Sequence, residues 1–238
     1  MKNTTYLAPL FLKSALVASI FFLATDVAQS ADGPQDKVVF ADDFDRKDAK
    51  PVQSIDDLEH WEFLDPKTWT WKATEDAGGV IEITERGSAY KPPTRSPGHV
   101  ALVKDVAVGN CEIRFRVRST KDTGNHRDCC IFFGYQDASH FYYCHLGAKP
   151  DPHSGQIMIV NEAPRLALTK NEKLTPWDDQ WHTVMVRRNI DSGLIEVFFD
   201  DMTTPHMSVT DKTFGTGRVG IGSFDDLNAF DGFTVSTF

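Results

Sequence analysis

From Val38 onward, apolar and polar positions mostly alternate, in short runs separated by turn residues. Period two sends successive side chains to opposite faces, so the pattern predicts strands covered on one side. The runs are Val38–Phe40, Thr68–Lys72, Val80–Thr84, His99–Lys104, Cys111–Arg118, Cys130–Tyr135, Phe141–Leu146, Ile157–Asn161, His182–Arg188, Leu194–Phe199, Arg218–Gly222 and Phe230–Ser236. Gly78-Gly79, Ser96-Pro97-Gly98, Gly109-Asn110, Pro150-Asp151-Pro152 and Asp191-Ser192-Gly193 punctuate them. The stretch from Cys111 to Arg118 is the clearest. Cys111, Ile113, Phe115 and Val117 face a core, while Glu112, Arg114, Arg116 and Arg118 face away. One short helix is expected, capped by Ser54 with Asp57 at the capping-box position, from Ile55 to about Trp61. About a dozen short strands without an internal repeat or dividing linker argue for an all-β fold, a two-sheet antiparallel sandwich.

The first 30 residues break this pattern. Lys2 and Lys13 precede an apolar run from Ala15 to Ala24, too short to span a bilayer, and Ala28-Gln29-Ser30 offers small residues to a signal peptidase. Residues 1–30 read as a signal peptide and 31–238 as the domain; a retained anchor is the alternative. Export makes the protein secreted, periplasmic or cell-surface, with no membrane span after cleavage, because no later apolar run is long enough. The chain carries a formal net charge of −9, and loss of the leader makes it more acidic. Such a domain lacks the positive field that displaces phosphate counterions, which argues against nucleic acid as a partner. The cysteines Cys111, Cys129, Cys130 and Cys144 permit disulfides in an exported chain but lack paired C-x-x-C knuckles. On a strand, Cys129 and Cys130 point to opposite faces, so at most one easily meets Cys111 or Cys144. Buried free thiols are the equal alternative.

Several segments in order resemble a known superfamily. Trp181-His182-Thr183-Val184, then a turn and Ile195-Glu196-Val197-Phe198-Phe199-Asp200-Asp201, resembles an element of concanavalin A-like lectin/glucanase (LamG-like) domains. Gly217–Gly222 and Phe230-Asp231-Gly232-Phe233-Thr234-Val235 resemble its closing strands, and Val39-Phe40-Ala41-Asp42-Asp43-Phe44 its opening strand. Trp69-Thr70-Trp71 with Gly79-Val80-Ile81-Glu82-Ile83 is similar to the 3-keto-disaccharide hydrolase-like (family-16-like) branch. The resemblance implies a jelly-roll sandwich with carbohydrate as partner. It also implies a structural calcium where the first and last strands meet, here at Asp42 or Asp43 with Asp231, oxygen ligands suited to a hard cation. Glucanases of this architecture carry E-x-D-x-E on one strand, and no such triplet occurs here. Glu196 and Asp200 lie four residues apart, with backbones roughly 13 Å distant. That exceeds either glycosidase carboxyl separation, so ordinary two-carboxylate hydrolysis is disfavoured.

The chemically dense stretch is instead Gln136–His145, continuing through His153 to Arg165. Phe141 and Tyr143 are the better core residues, so His140 and Tyr142 are expected to point the same way as Arg114 and Arg116. His145 joins them if a bulge or the strand end re-aims it, and Arg165 follows nearby. Arginine forks suit a carboxylated sugar. As catalysts, His140 would be the base and Tyr142 the acid of a uronate lyase-like elimination. The expectation is a secreted sandwich that binds or processes a poly- or oligosaccharide. A 3-keto-glycoside hydrolase or polysaccharide lyase is the enzyme alternative, and an adhesion or structural sandwich without sugar affinity is the third. His99, His126 and His206 read as surface residues.

Overall fold

The computed structural model describes Met1, residues 36–46 and residues 54–238; the leader beyond Met1 lies outside the described residues. In chain order the strands are β1 (Lys37–Asp42), β2 (Trp61–Phe63), β3 (Trp69–Thr74), β4 (Gly78–Ile83), β5 (His99–Val108), β6 (Cys111–Ser119), β7 (Cys130–Asp137) and β8 (His140–His145). They continue as β9 (Gln156–Asn161), β10 (Leu166–Ala167), β11 (His182–Arg188), β12 (Leu194–Phe199), β13 (Met207–Thr210), β14 (Gly217–Ser223) and β15 (Asn228–Thr237). Two antiparallel sheets result, and the fold is the expected all-β jelly-roll sandwich. The first sheet runs β13-β12-β11-β6-β15-β4-β3 with β1 also on β15; the second runs β10-β9-β8-β7-β14-β5-β2.

The sandwich core lies between the sheets. Ile113, Phe115 and Val117 of β6 meet Phe230, Phe233 and Val235 of β15, and the second sheet contributes Val103, Ile131, Phe133, Tyr142 and Cys144. β6 alternates as the sequence predicts, with the arginines outward. The second sheet does not, because it is covered on both sides. Val100, Leu102, Cys130, Phe132, Phe141, Tyr143, Met158 and Val160 form a separate buried cluster on its outer face, against Leu64, Tyr90 and Ala167. Both parities of β8 are therefore apolar, and alternation cannot tell inside from outside.

Ser54 and Asp57 make the predicted capping box, but the helix is one 3-10 turn, Ile55–Asp57. It stops early because Trp61 is needed in β2, where its indole packs on Phe233 and donates to Asp42 Oδ2 at 3.0 Å. Asp42 also accepts from Phe44 N at 2.8 Å and from Arg46 Nη1 and Nη2 at 2.9 and 3.0 Å. Asp43 accepts from Asp45 N, and Asp231 pairs with Arg116. Of the residues expected to hold calcium, Asp42 or Asp43 with Asp231, both Asp42 and Asp231 face an arginine. The cysteines are all free and buried. Cys129 and Cys130 do point to opposite faces, one into the inter-sheet core and the other into the outer cluster.

Candidate functional site

The expected cationic floor is not formed. Arg114 and Arg116 lie on the outer face of the first sheet, whereas His140 and Tyr142 belong to the second. Arg114 Nη2 pairs with Glu112 at 3.2 Å, and Arg118 Nη1 with Asp76 at 2.6 Å. The Trp181 ring lies under Arg116 and Arg118, whose Cζ atoms are 5.3 and 4.6 Å from its centroid. These arginines make a laced, solvated surface.

Tyr142 points into the core rather than toward a groove. Its hydroxyl donates to Asp211 and accepts from Phe214 N at 3.0 Å, and the buried Arg188 guanidinium stands 5.0 Å from its ring. Burial, with Asp211 beside it, pushes the Tyr142 phenol up. His140 sits at the strand start, 2.8 Å from Asp137 and 3.5 Å from Glu162. His140 and Tyr142 do share a face, and both rings meet Phe214, but each is tied to a different carboxylate, His140 to Asp137 and Tyr142 to Asp211. Alternation puts the two on one side of β8 without saying which side, because both faces of this sheet are buried.

Two of the expected residues do converge. His145 and Arg165 line a cleft of 440 Å³ where β7 begins and β8 ends, with Arg95, His126, Asp128, Lys149, His153 and Asp225. Phe224 forms its wall, stacked on His145 at 5.6 Å with Arg165 Cζ 4.2 Å from its ring centroid. A second cleft of 380 Å³ shares Arg95 and Phe224 and is lined by Tyr90, Thr94 and His99. Each has the size of a small-ligand site. Two buried nitrogens of Arg165, Nε and Nη1, make no hydrogen bond among the described residues.

The acids here are set apart by their surroundings. Burial would raise Asp128, but His145, Phe224 N and Ser223 outweigh it and hold its carboxyl below the usual range. Burial and the neighbouring Asp128 push Asp225 up, and burial takes Asp226 to about 6 against hydrogen bonds from Thr123 and Ser119. Burial pushes the His99 imidazole down. His99 is 1% exposed and is not the surface residue expected, whereas His126 is exposed as expected, on the rim of the cleft. His206 is half-buried, 3.3 Å from Thr175 Oγ1.

Sequence reasoning missed Arg95, Asp128, Phe224 and Asp225, each in a loop or at a strand margin where period carries no information. The available signals were Arg127-Asp128 just before the paired cysteines and Phe224-Asp225-Asp226 after a glycine-rich strand.

No family model matches the chain, and no curated protein matches it in sequence. Solved structures do. Carbohydrate-binding module CBM66 from Bacillus subtilis superposes with a TM-score of 0.54 at 16% identity, over 75% of this chain and 96% of that one. Domain 4 of AbnA, a GH43 extracellular arabinanase from Geobacillus stearothermophilus in complex with arabinotriose, gives 0.54 at 12%, over 85% and 93%. The GH43 protein BlXynB from Bacillus licheniformis (K247S mutant) gives 0.53 at 12%, over 83% of this chain and 39% of that one. This chain shares their fold.

Proposed function

We propose that the chain binds an oligosaccharide bearing a carboxylate, in the cleft at the end of the second sheet. Arg165 carries this reading: it lines the cleft, and two of its buried N–H groups have no acceptor among the described residues. A buried donor without a partner is costly, and a carboxylate or hydroxyl oxygen arriving from solvent relieves that cost. Arg95 and Lys149 add positive charge on the same walls. The likeness in fold to a carbohydrate-binding module and to an arabinanase domain holding arabinotriose supports sugar as the ligand class. Calorimetric titration with matched neutral and uronate oligosaccharides tests it. Uronate binding that Arg165→Ala weakens is expected; no binding to either set overturns the reading.

Cleavage of the bound sugar is the second reading, favoured by three imidazoles, His126, His145 and His153, in one cleft with Asp225. The 3-keto-glycoside hydrolase-like and lyase-like alternatives belong here, and they separate by product: new reducing ends or an unsaturated uronate. Export through residues 1–30 is part of the same proposal, and the N-terminus of protein recovered from outside the cytoplasm checks it, with Ala31 expected first.

A further inference from the structure

At the base of the cleft lies a buried cluster that joins His145 to two groups the sugar reading does not use, Asp128 and Cys130. The ligand-type atoms of Asp128, Cys130 and His145 all lie within 4.8 Å of one another. Cys130 and His145 are direct partners across β7 and β8. His145 Nδ1 stands 2.9 Å from the His153 carbonyl oxygen, which can only accept, so Nδ1 carries the proton. Nε2 faces Asp128 Oδ2, 3.4 Å away. A second ring proton makes this contact an ion pair; a metal ion set between the two atoms would take a lone pair from each.

The surroundings favour the ion. Asp128 Oδ1 is held by the Ser223 hydroxyl at 2.8 Å and Phe224 N at 3.0 Å, which leaves Oδ2 for the His145 side. A ring N–H on a backbone carbonyl is the outer hydrogen bond that orients metal-binding imidazoles. The Cys130 sulfur brings a soft donor to the same place, which an ion uses and a proton does not. We propose that Asp128, Cys130 and His145 hold one divalent ion of zinc's character, with its fourth position open to the cleft that Asp128 and His145 line. Imidazole and thiolate suit zinc and disfavour calcium or magnesium, which take oxygen shells. On binding, the Cys130 S–H bond breaks, the proton leaves to solvent and a metal–sulfur bond forms, with no change of oxidation state. Carboxylate and thiolate together neutralise the ion's two charges.

The proposal is independent of sugar binding and is tested with metal alone. The purified full chain, stripped of metal, is titrated with zinc under a competing chelator and separately with cobalt. One zinc per chain, a raised melting temperature and a thiolate-to-cobalt charge-transfer band are expected. Cys130→Ser should abolish the band and weaken zinc binding at least about tenfold, while Cys144→Ser, a buried thiol on the inter-sheet side, should keep both. Absence of stoichiometric zinc uptake, or cobalt bound without the band, overturns the proposal on the unaltered chain whatever the variants do. So does a Cys130→Ser chain that binds zinc as tightly as the parent.

Discussion

Arg165 and Tyr142 illustrate how far a side chain's role depends on what its polar atoms touch. Arg165→Ala removes two N–H groups that have no acceptor among the described residues, so it should lower affinity for a carboxylated sugar about tenfold or more, read by calorimetry, with little loss of stability. Tyr142→Phe should do the reverse. It deletes a hydroxyl bridging Asp211 and Phe214 N, should cost about 1–2 kcal/mol in urea unfolding, and should leave sugar affinity unchanged. The sequence placed both residues in one site. For Arg165 the expectation rested on residue type and on its place in the dense central segment. For Tyr142 it rested on alternation, and alternation reports only that neighbours face opposite ways. Which way is decided by Arg188, Asp211 and Phe214, all distant in sequence and invisible to a local pattern.

Strands were the most legible elements. β6 has one face in the core and one in water, so its charges and apolar residues separated cleanly, and the outward direction of Arg114 and Arg116 was read correctly. Their partners were not, because register across β6, β11 and β15 is a long-range property. Since these arginines stand on the first sheet and the cleft belongs to the second, Arg114→Ala combined with Arg116→Ala should leave sugar binding intact, and a loss in the same titration would return the site to the first sheet. β14 carries a different constraint. A methyl group at Gly222 would collide with the His99 carbonyl oxygen on β5, a backbone atom that cannot step aside. Gly222→Ala should therefore destabilise by about 1–3 kcal/mol, seen as a lower melting temperature. The glycine-rich look of this strand was legible; the neighbour that requires it was not.

At the scale of the whole molecule, His99 and Asp65 both shape the acid side of the stability profile. Burial depresses the His99 pKa below its ordinary 6.5, so the unfolded chain takes up a proton the native one resists. Stability should fall as pH drops below 6.5 and level off at the folded pKa, and His99→Gln should flatten that slope in melting curves. For Asp65, burial raises the pKa, but the Ala89 amide and Ser88 hydroxyl outweigh it and leave the carboxyl below 3.8. Its contribution is complete above about 3.8 and is lost as pH falls through the lower folded value, so Asp65→Asn should weaken the chain at neutral pH and shrink the loss below pH 4. The four free cysteines add a matter of timing. Burial raises every one of their thiols, Cys111 to about 12, and the finished sandwich closes them off from oxidants and alkylating reagents. In an oxidising compartment, folding would race against crosslinking: a chain that closes its sheets first keeps Cys111, Cys129 and Cys144 silent and leaves Cys130 to the proposed ion, and a slow one is captured in wrong pairings.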